Sequence, residues 1–262
     1  MIQSRYLFSD TLQPVLALAI HNGHGLPESL EPYMGIDEKA RRMEEDPYSD
    51  LMAMHYPNYI ILESSRFAVD LNRPLHRAIY QKPEDAWGLP VRKAPLPPLL
   101  LHQLEQYYLD WYKVLKYEVD RLLSFHPFIV IWDFHNYNHR RGGPDTPADP
   151  QNENPDIILG RNNMPKEYYP YVEALREKLD GKEVVGKILD VRCDVKFPGG
   201  YLSRWLHDSF PGQVLVLAVE FKKIFMNEHT GMLRPVAYGN MRYFFYEASI
   251  EWMQELPLLK KR

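Results

Sequence analysis

The stretch VLVLAVEFKK, Val214–Lys223, decides how the rest of the chain is read. Val214–Val219 is an unbroken apolar run, as in a strand covered on both faces, and Glu220 follows it directly. A carboxylate beside Leu217, Val219 and Phe221 costs several kcal/mol to bury unless it is paired or at work. Lys222 and Lys223 could supply a structural ion pair, so at this point both readings stand.

The same pattern recurs on either side. Val15–Ile20 is apolar and is followed by His21. Phe128–Trp132 continues through Phe134 to His135. Tyr59–Leu62 leads into Ser64-Ser65-Arg66 and then Asp70-Leu71-Asn72-Arg73. A fifth candidate, Leu189–Phe197, alternates apolar and polar residues and suits a more exposed strand. Between these runs lie helical segments. The longest spans about 97–124, with Leu100, Leu104, Tyr108, Trp111, Leu115, Val119 and Leu122 forming one stripe behind a leading proline. Others span about 165–179, closed by Gly181, and about 238–256. Strands alternating with helices predict an α/β fold: one domain over 1–262, with a central mixed, mostly parallel sheet flanked by helices. In such sheets ligands bind beyond the carboxyl ends of the strands. There this chain would gather two imidazoles, a carboxylate and several guanidiniums.

Two segments read as long loops, proline-rich Leu89–Pro98 and polar Arg140–Asn154, and long loops in compact domains often serve as lids or binding loops. The 31 basic and 35 acidic residues give a net charge of -4. No basic block marks a nucleic-acid binder. No apolar run approaches the roughly 20 residues that cross a bilayer, and MIQSRYLFSD lacks the pattern of a signal peptide. The single cysteine, Cys193, allows no internal disulfide and suits a reducing compartment. These features predict a soluble cytoplasmic protein, without nucleic-acid or membrane partners.

ESSRFAVDLNRP, Glu63–Pro74, resembles the SRxxxDLNRP signature of the N-formylglutamate amidohydrolases. Around it stand IHNGHGLP (Ile20–Pro27), EEDPYSD (Glu44–Asp50), WDFHNYNHRR (Trp132–Arg141), PDIILG (Pro155–Gly160), GGYLSRW (Gly199–Trp205) and VEFKKIFM (Val219–Met226). Each is similar to a family block, and they occur in the family's order. The resemblance implies a phosphorylase/hydrolase-like fold akin to zinc carboxypeptidases and aspartoacylases. It also implies one Zn2+ per chain and cleavage of the amide bond of a small anionic N-formyl or N-acyl amino acid. It makes His21 and His135 metal ligands and Asp46 the third, with His24 as its rival and Glu45 behind both. Glu220 becomes the general base, Arg66 the oxyanion partner, and Asn72 with Arg73 the grip on the substrate's α-carboxylate. Arg204 is a candidate for a second substrate carboxylate. Asp133 and Asp70 are expected to support these residues, Asp70 by orienting Arg73 or nearby backbone.

The resemblance has departures. Where family members carry a Tyr-His pair in the central helix, this chain has Tyr107-Tyr108 and Trp111-Tyr112, and IHNGHGLP differs from the simpler His-Ser-Gly form. Other readings therefore stay open: a carboxypeptidase- or aspartoacylase-like hydrolase of another substrate, or a non-catalytic relative that binds a ligand.

Overall fold

In the computed structural model, which describes residues 3–8, 13–184 and 186–260, the chain forms nine strands. They are β1 (Ser4–Leu7), β2 (Val15–Ala19), β3 (Tyr59–Leu62), β4 (Ile129–Tyr137), β5 (Ile157–Gly160), β6 (Glu183–Val184), β7 (Lys187–Ile188), β8 (Val191–Cys193) and β9 (Val214–Lys222). Seven of them build one sheet in the order β1-β3-β2-β4-β9-β5-β8, while β6 and β7 form a separate ribbon. Strands β3, β2, β4 and β9 run parallel, as β5 does to β8. Edge strand β1 pairs antiparallel with β3, and β5 antiparallel with β9. The sheet is mixed and mostly parallel, as expected.

The helices are α1 (Glu38–Glu44), α2 (Ser49–Ala53), α3 (Leu75–Ala78), α4 (Pro98–Leu123), α5 (Tyr169–Leu179), α6 (Tyr201–Ser209) and α7 (Pro235–Glu255). Side chains alternate across a strand, so the sheet divides its apolar residues between two cores. Val15, Ala17, Trp132, Phe134, Leu215, Leu217 and Val219 pack with residues of α2, α5 and α7. Leu16, Leu18, Ile20, Ile129, Ile131, Val214 and Val216 pack with α4 and α6. The predicted stripe of α4 is buried in full. By the same alternation Asp133 and His135 continue the α4 side of β4, and Glu220 continues that side of β9. His135 and Glu220 are register partners across the parallel pair.

Three differences from expectation have physical causes. β4 and β9 extend beyond their apolar runs, so His135 and Glu220 lie within strands rather than after them. The alternating segment 189–197 yields only the three residues of β8, because Asp194 (φ 58°) and Lys196 (φ 61°) turn the backbone out of the strand. β1 and β5 were not foreseen: SRYL is polar and largely exposed, and IILG is very short. Gly181 does take a positive φ of 70°, but its N–H bonds Leu189 O rather than a helix carbonyl. Among the described residues no helix is long and apolar enough to cross a membrane.

Candidate metal and catalytic centre

His21 lies two residues past the end of β2, and its carbonyl accepts the N–H of Asp46 at 2.9 Å. That bond ties the acidic segment to the strand end. Lys223 tightens it further, its buried ammonium donating to Met43 O (2.7 Å) and Glu45 O (2.8 Å). Asp46 is thereby aimed at both histidines: its Oδ2 is 2.9 Å from His135 Nδ1 and 3.5 Å from His21 Nδ1. One ligand atom from each of His21, Asp46 and His135 lies within 4.8 Å of the others, and all three residues are buried. Residues far apart in the chain thus meet within reach of one cation.

The chemistry of this donor set fits a divalent metal. Two imidazoles and one carboxylate are a catalytic zinc set, which keeps a fourth position open. His21 Nδ1 is buried without a hydrogen bond, as a nitrogen meant for a metal would be. Metal-binding histidines commonly set their second nitrogen against a carboxylate. Here His21 Nε2 is 2.8 Å from Asp70 Oδ1, and His135 Nε2 is 3.0 Å from Asp133 Oδ1. Burial opposes charge on His135, but Asp133 and Asp46 outweigh it and hold the imidazole well above its ordinary pKa. Burial likewise works against an ionised Asp46, yet the hydrogen bond with His135 and the adjacent imidazole of His21 hold it well below the usual carboxylate range.

Glu220 shares a cavity of about 610 Å³ with this trio. Its carboxyl makes no hydrogen bond or ion pair with another described residue. Lys222 pairs with Asp156 at 3.0 Å and Lys223 with backbone carbonyls, so the structural ion pair is not formed. Burial pushes Glu220 up to about 8, with Asp46 and Asp133 adding to the rise and His135 opposing it. Arg66, Asn72 and Arg73 line the same cavity. Arg66 donates to Asp70 Oδ2 at 2.8 Å and lies 5.1 Å from the Trp87 ring centroid. Arg73 Nε is 3.7 Å from Asp70 Oδ2 and 26% of its side chain is exposed, which leaves its fork available. Asn72 Oδ1 accepts the N–H of Leu202 at the start of α6 (3.0 Å), while its Nδ2 stands 3.4 Å from His135 Nε2.

The sequence profile of the N-formylglutamate amidohydrolase family matches residues 13–224. The chain belongs to that family. A hydrolase of the amidohydrolase type follows from the membership, and the fold agrees. The N-formylglutamate amidohydrolase of Ralstonia eutropha JMP134 superposes with a TM-score of 0.73 at 14% identity, covering 97% of this chain and 98% of that one. A gene product of Agrobacterium tumefaciens gives 0.64 at 14% identity over 95% and 96%. At that identity the likeness is one of fold alone. Among curated proteins, the phosphoenolpyruvate-protein phosphotransferase of Bacillus subtilis is 26% identical over 91 residues. The match takes in 34% of this chain and spans only 16% of the relative's length.

Within this family member, the structure sorts the other expected residues. His24, the rival third ligand, lies outside the trio, its Nδ1 bonded to Glu45; Glu45 is also engaged by Arg41 and Ser65. Both are spoken for elsewhere. Arg204 is exposed on α6, reaches Asn163 Oδ1 at 3.4 Å, and is not among the residues that line the cavity. Asp70 does more than orient Arg73, since its closer partners are His21 and Arg66. Tyr108 and Tyr112 donate to Arg73 O (2.8 Å) and Leu71 O (2.6 Å), so they hold the DLNR segment rather than lining the cavity. Of the two long loops, 140–154 contributes Arg141 to the cavity, whereas no residue of 89–98 lines it. Trp87, Arg141, Lys196 and Lys223 were not foreseen as lining residues. For Lys223 the signal was present: a second lysine after a catalytic-looking carboxylate has to be buried or turned away.

Proposed function

We propose that the protein hydrolyses the amide bond of a small N-acyl amino acid of the N-formylglutamate type, using zinc held by His21, Asp46 and His135. The observation that carries this reading is the convergence of those three residues in one cavity with Glu220, Arg66, Asn72 and Arg73. A zinc ion there supplies Lewis acidity, which lets water lose a proton near neutral pH and polarises the amide carbonyl.

The chain's own residues supply the remainder. Glu220 takes the proton of the attacking water and returns it to the leaving amine. Its burial-raised pKa of about 8 means that the carboxyl must first give up a proton, which a nearby cation favours. Arg66, fixed by Asp70, faces the oxyanion as it develops, a role worth roughly 3–4 kcal/mol for such a donor. Arg73 takes the α-carboxylate in two parallel hydrogen bonds, with Asn72 beside it. A cytoplasmic location fits the single cysteine.

The test is a screen of N-formyl and N-acetyl amino acids with zinc-loaded protein, reading released amine. Turnover of at least one acidic N-acyl amino acid is expected. Protein that holds stoichiometric zinc and cleaves none of them would end this reading.

A further inference from the structure

Lys196 occupies an unusual piece of backbone. The N–H of Phe197 bonds Val195 O at 2.6 Å, closing a γ-turn with Lys196 at its centre, and Lys196 has φ 61°. A γ-turn with positive φ at its centre is rare and strained, and strain of that kind persists where the surroundings enforce it, often at ligand sites. The surroundings do enforce it. Asp194, just before the turn, accepts both Arg161 N and Arg161 Nε at 2.8 Å. Just after the turn the chain crosses β5 so closely that a Cβ on Gly160 would lie 2.8 Å from Gly199 N and 3.0 Å from Phe197 O.

The turn presents an ammonium to the catalytic cavity. Lys196 Nζ donates to the neutral Asn154 Oδ1 at 2.7 Å and lies 5.1 and 5.7 Å from the ring centroids of Tyr137 and Phe197. Among the described residues no carboxylate lies within salt-bridge distance of it. The charge acting on it most strongly is another cation, Arg141, which also lines the cavity and is itself paired with Glu44 at 2.9 Å. Two cations share this part of the wall, on loops that follow β4 and β8. Arg66 and Arg73 belong to the loop that follows β3. Arg66 and Arg73 thus enter the cavity from the β3 side of the sheet and Lys196 from the β8 side, and β2, β4 and β9, which lead to or carry His21, His135 and Glu220, lie between those two strands.

We propose that Lys196, flanked by Arg141, receives a second carboxylate on the substrate and so selects an acidic side chain on the acyl amino acid. This rests on the amidohydrolase reading for the identity of the ligand, and it gives Lys196 the role expected of Arg204.

The experiment compares N-acetyl-L-glutamate with N-acetyl-L-glutamine, which replaces the side-chain carboxylate by a neutral carboxamide of nearly the same shape. Binding is measured by calorimetry on metal-stripped protein, and kcat/KM on the zinc-loaded enzyme. Wild type should prefer the glutamate compound. Lys196→Met should lower that ratio about tenfold, the worth of one charge-assisted hydrogen bond. Lys196→Arg should preserve it, and Lys196→Gln serves as a second neutral variant should the Met variant not fold. A wild type that binds the two equally, or neutral variants that weaken both equally, overturns the proposal. A preference in binding that the variants abolish supports it even if neither compound is cleaved, in which case only the hydrolase reading falls.

Discussion

At Asp70 one buried carboxylate faces both His21 Nε2, through Oδ1, and Arg66, through Oδ2, while also accepting the Asn72 N–H and the Tyr80 hydroxyl. Burial opposes its charge, but Arg66 and His21 hold it well below the usual carboxylate range. Asp70→Asn keeps the shape and removes the charge. It should weaken zinc binding by about 10–100-fold, the usual effect of losing a carboxylate behind a metal-binding histidine, as read by chelator competition; unchanged affinity would show that His21 does not depend on Asp70. Glu220→Gln should behave in the opposite way. Turnover should fall by about 10²–10⁴-fold, the worth of a general base, while elemental analysis finds the same zinc content. Loss of zinc in that variant would make Glu220 a ligand. Most of these residues were readable because each is costly where it stands: a charge inside an apolar strand, or a histidine at a strand end, needs a reason. Arg204 stands apart from the cavity: an arginine in a recognised motif says nothing of where its side chain points. Lys196 stayed hidden because no residue preference announces a lysine at positive φ.

At the scale of elements, unbroken apolar runs marked β2, β3, β4 and β9, since central parallel strands are covered on both faces. Edge and connecting pieces left no such run, so β1, β5 and the short helices α1, α2, α3 and α6 were not legible from apolar runs, although α1 does carry a local signal in its Asp37 N-cap. α6 shows how a junction shapes the site. At its N-cap, Gly200 passes so close to Asn72 that an added Cβ would lie 2.0 Å from Asn72 Oδ1. Gly200 has an ordinary φ of -97°, so Gly200→Ala strains contacts rather than backbone. The substitution should push Asn72 from its place beside His135 and lower kcat/KM, with a smaller loss in Tm. A variant with full activity would show that Asn72 tolerates displacement.

For the whole molecule, the connection between β9 and α7 is clamped to the loop after β4 through Glu228. Its carboxylate accepts the N–H groups of His139 (3.0 Å) and Arg140 (2.7 Å) and faces His139 Nδ1 at 3.0 Å. Burial works against the charge, yet these partners hold the pKa down from 4.5 to about 2. A folded-state pKa below the ordinary value means that ionised Glu228 stabilises the fold above pH 4.5 and loses that contribution as pH falls toward 2. Glu228→Gln should therefore be less stable than wild type at neutral pH and should show a shallower acid-side decline across that window. Denaturation midpoints measured from pH 7 down to 2 check this, and parallel curves would remove Glu228 from the account.

The two histidines of the candidate metal site hang on β2 and β4 at the middle of the sheet, whereas the γ-turn of Lys196 hangs on β8 at its edge. Edge loops can be lengthened, shortened or rewritten without disturbing the central strands. Descendants of this scaffold could therefore acquire new diets by editing residues 195–197, with the Gly199-Gly200 step that seats Asn72 retained.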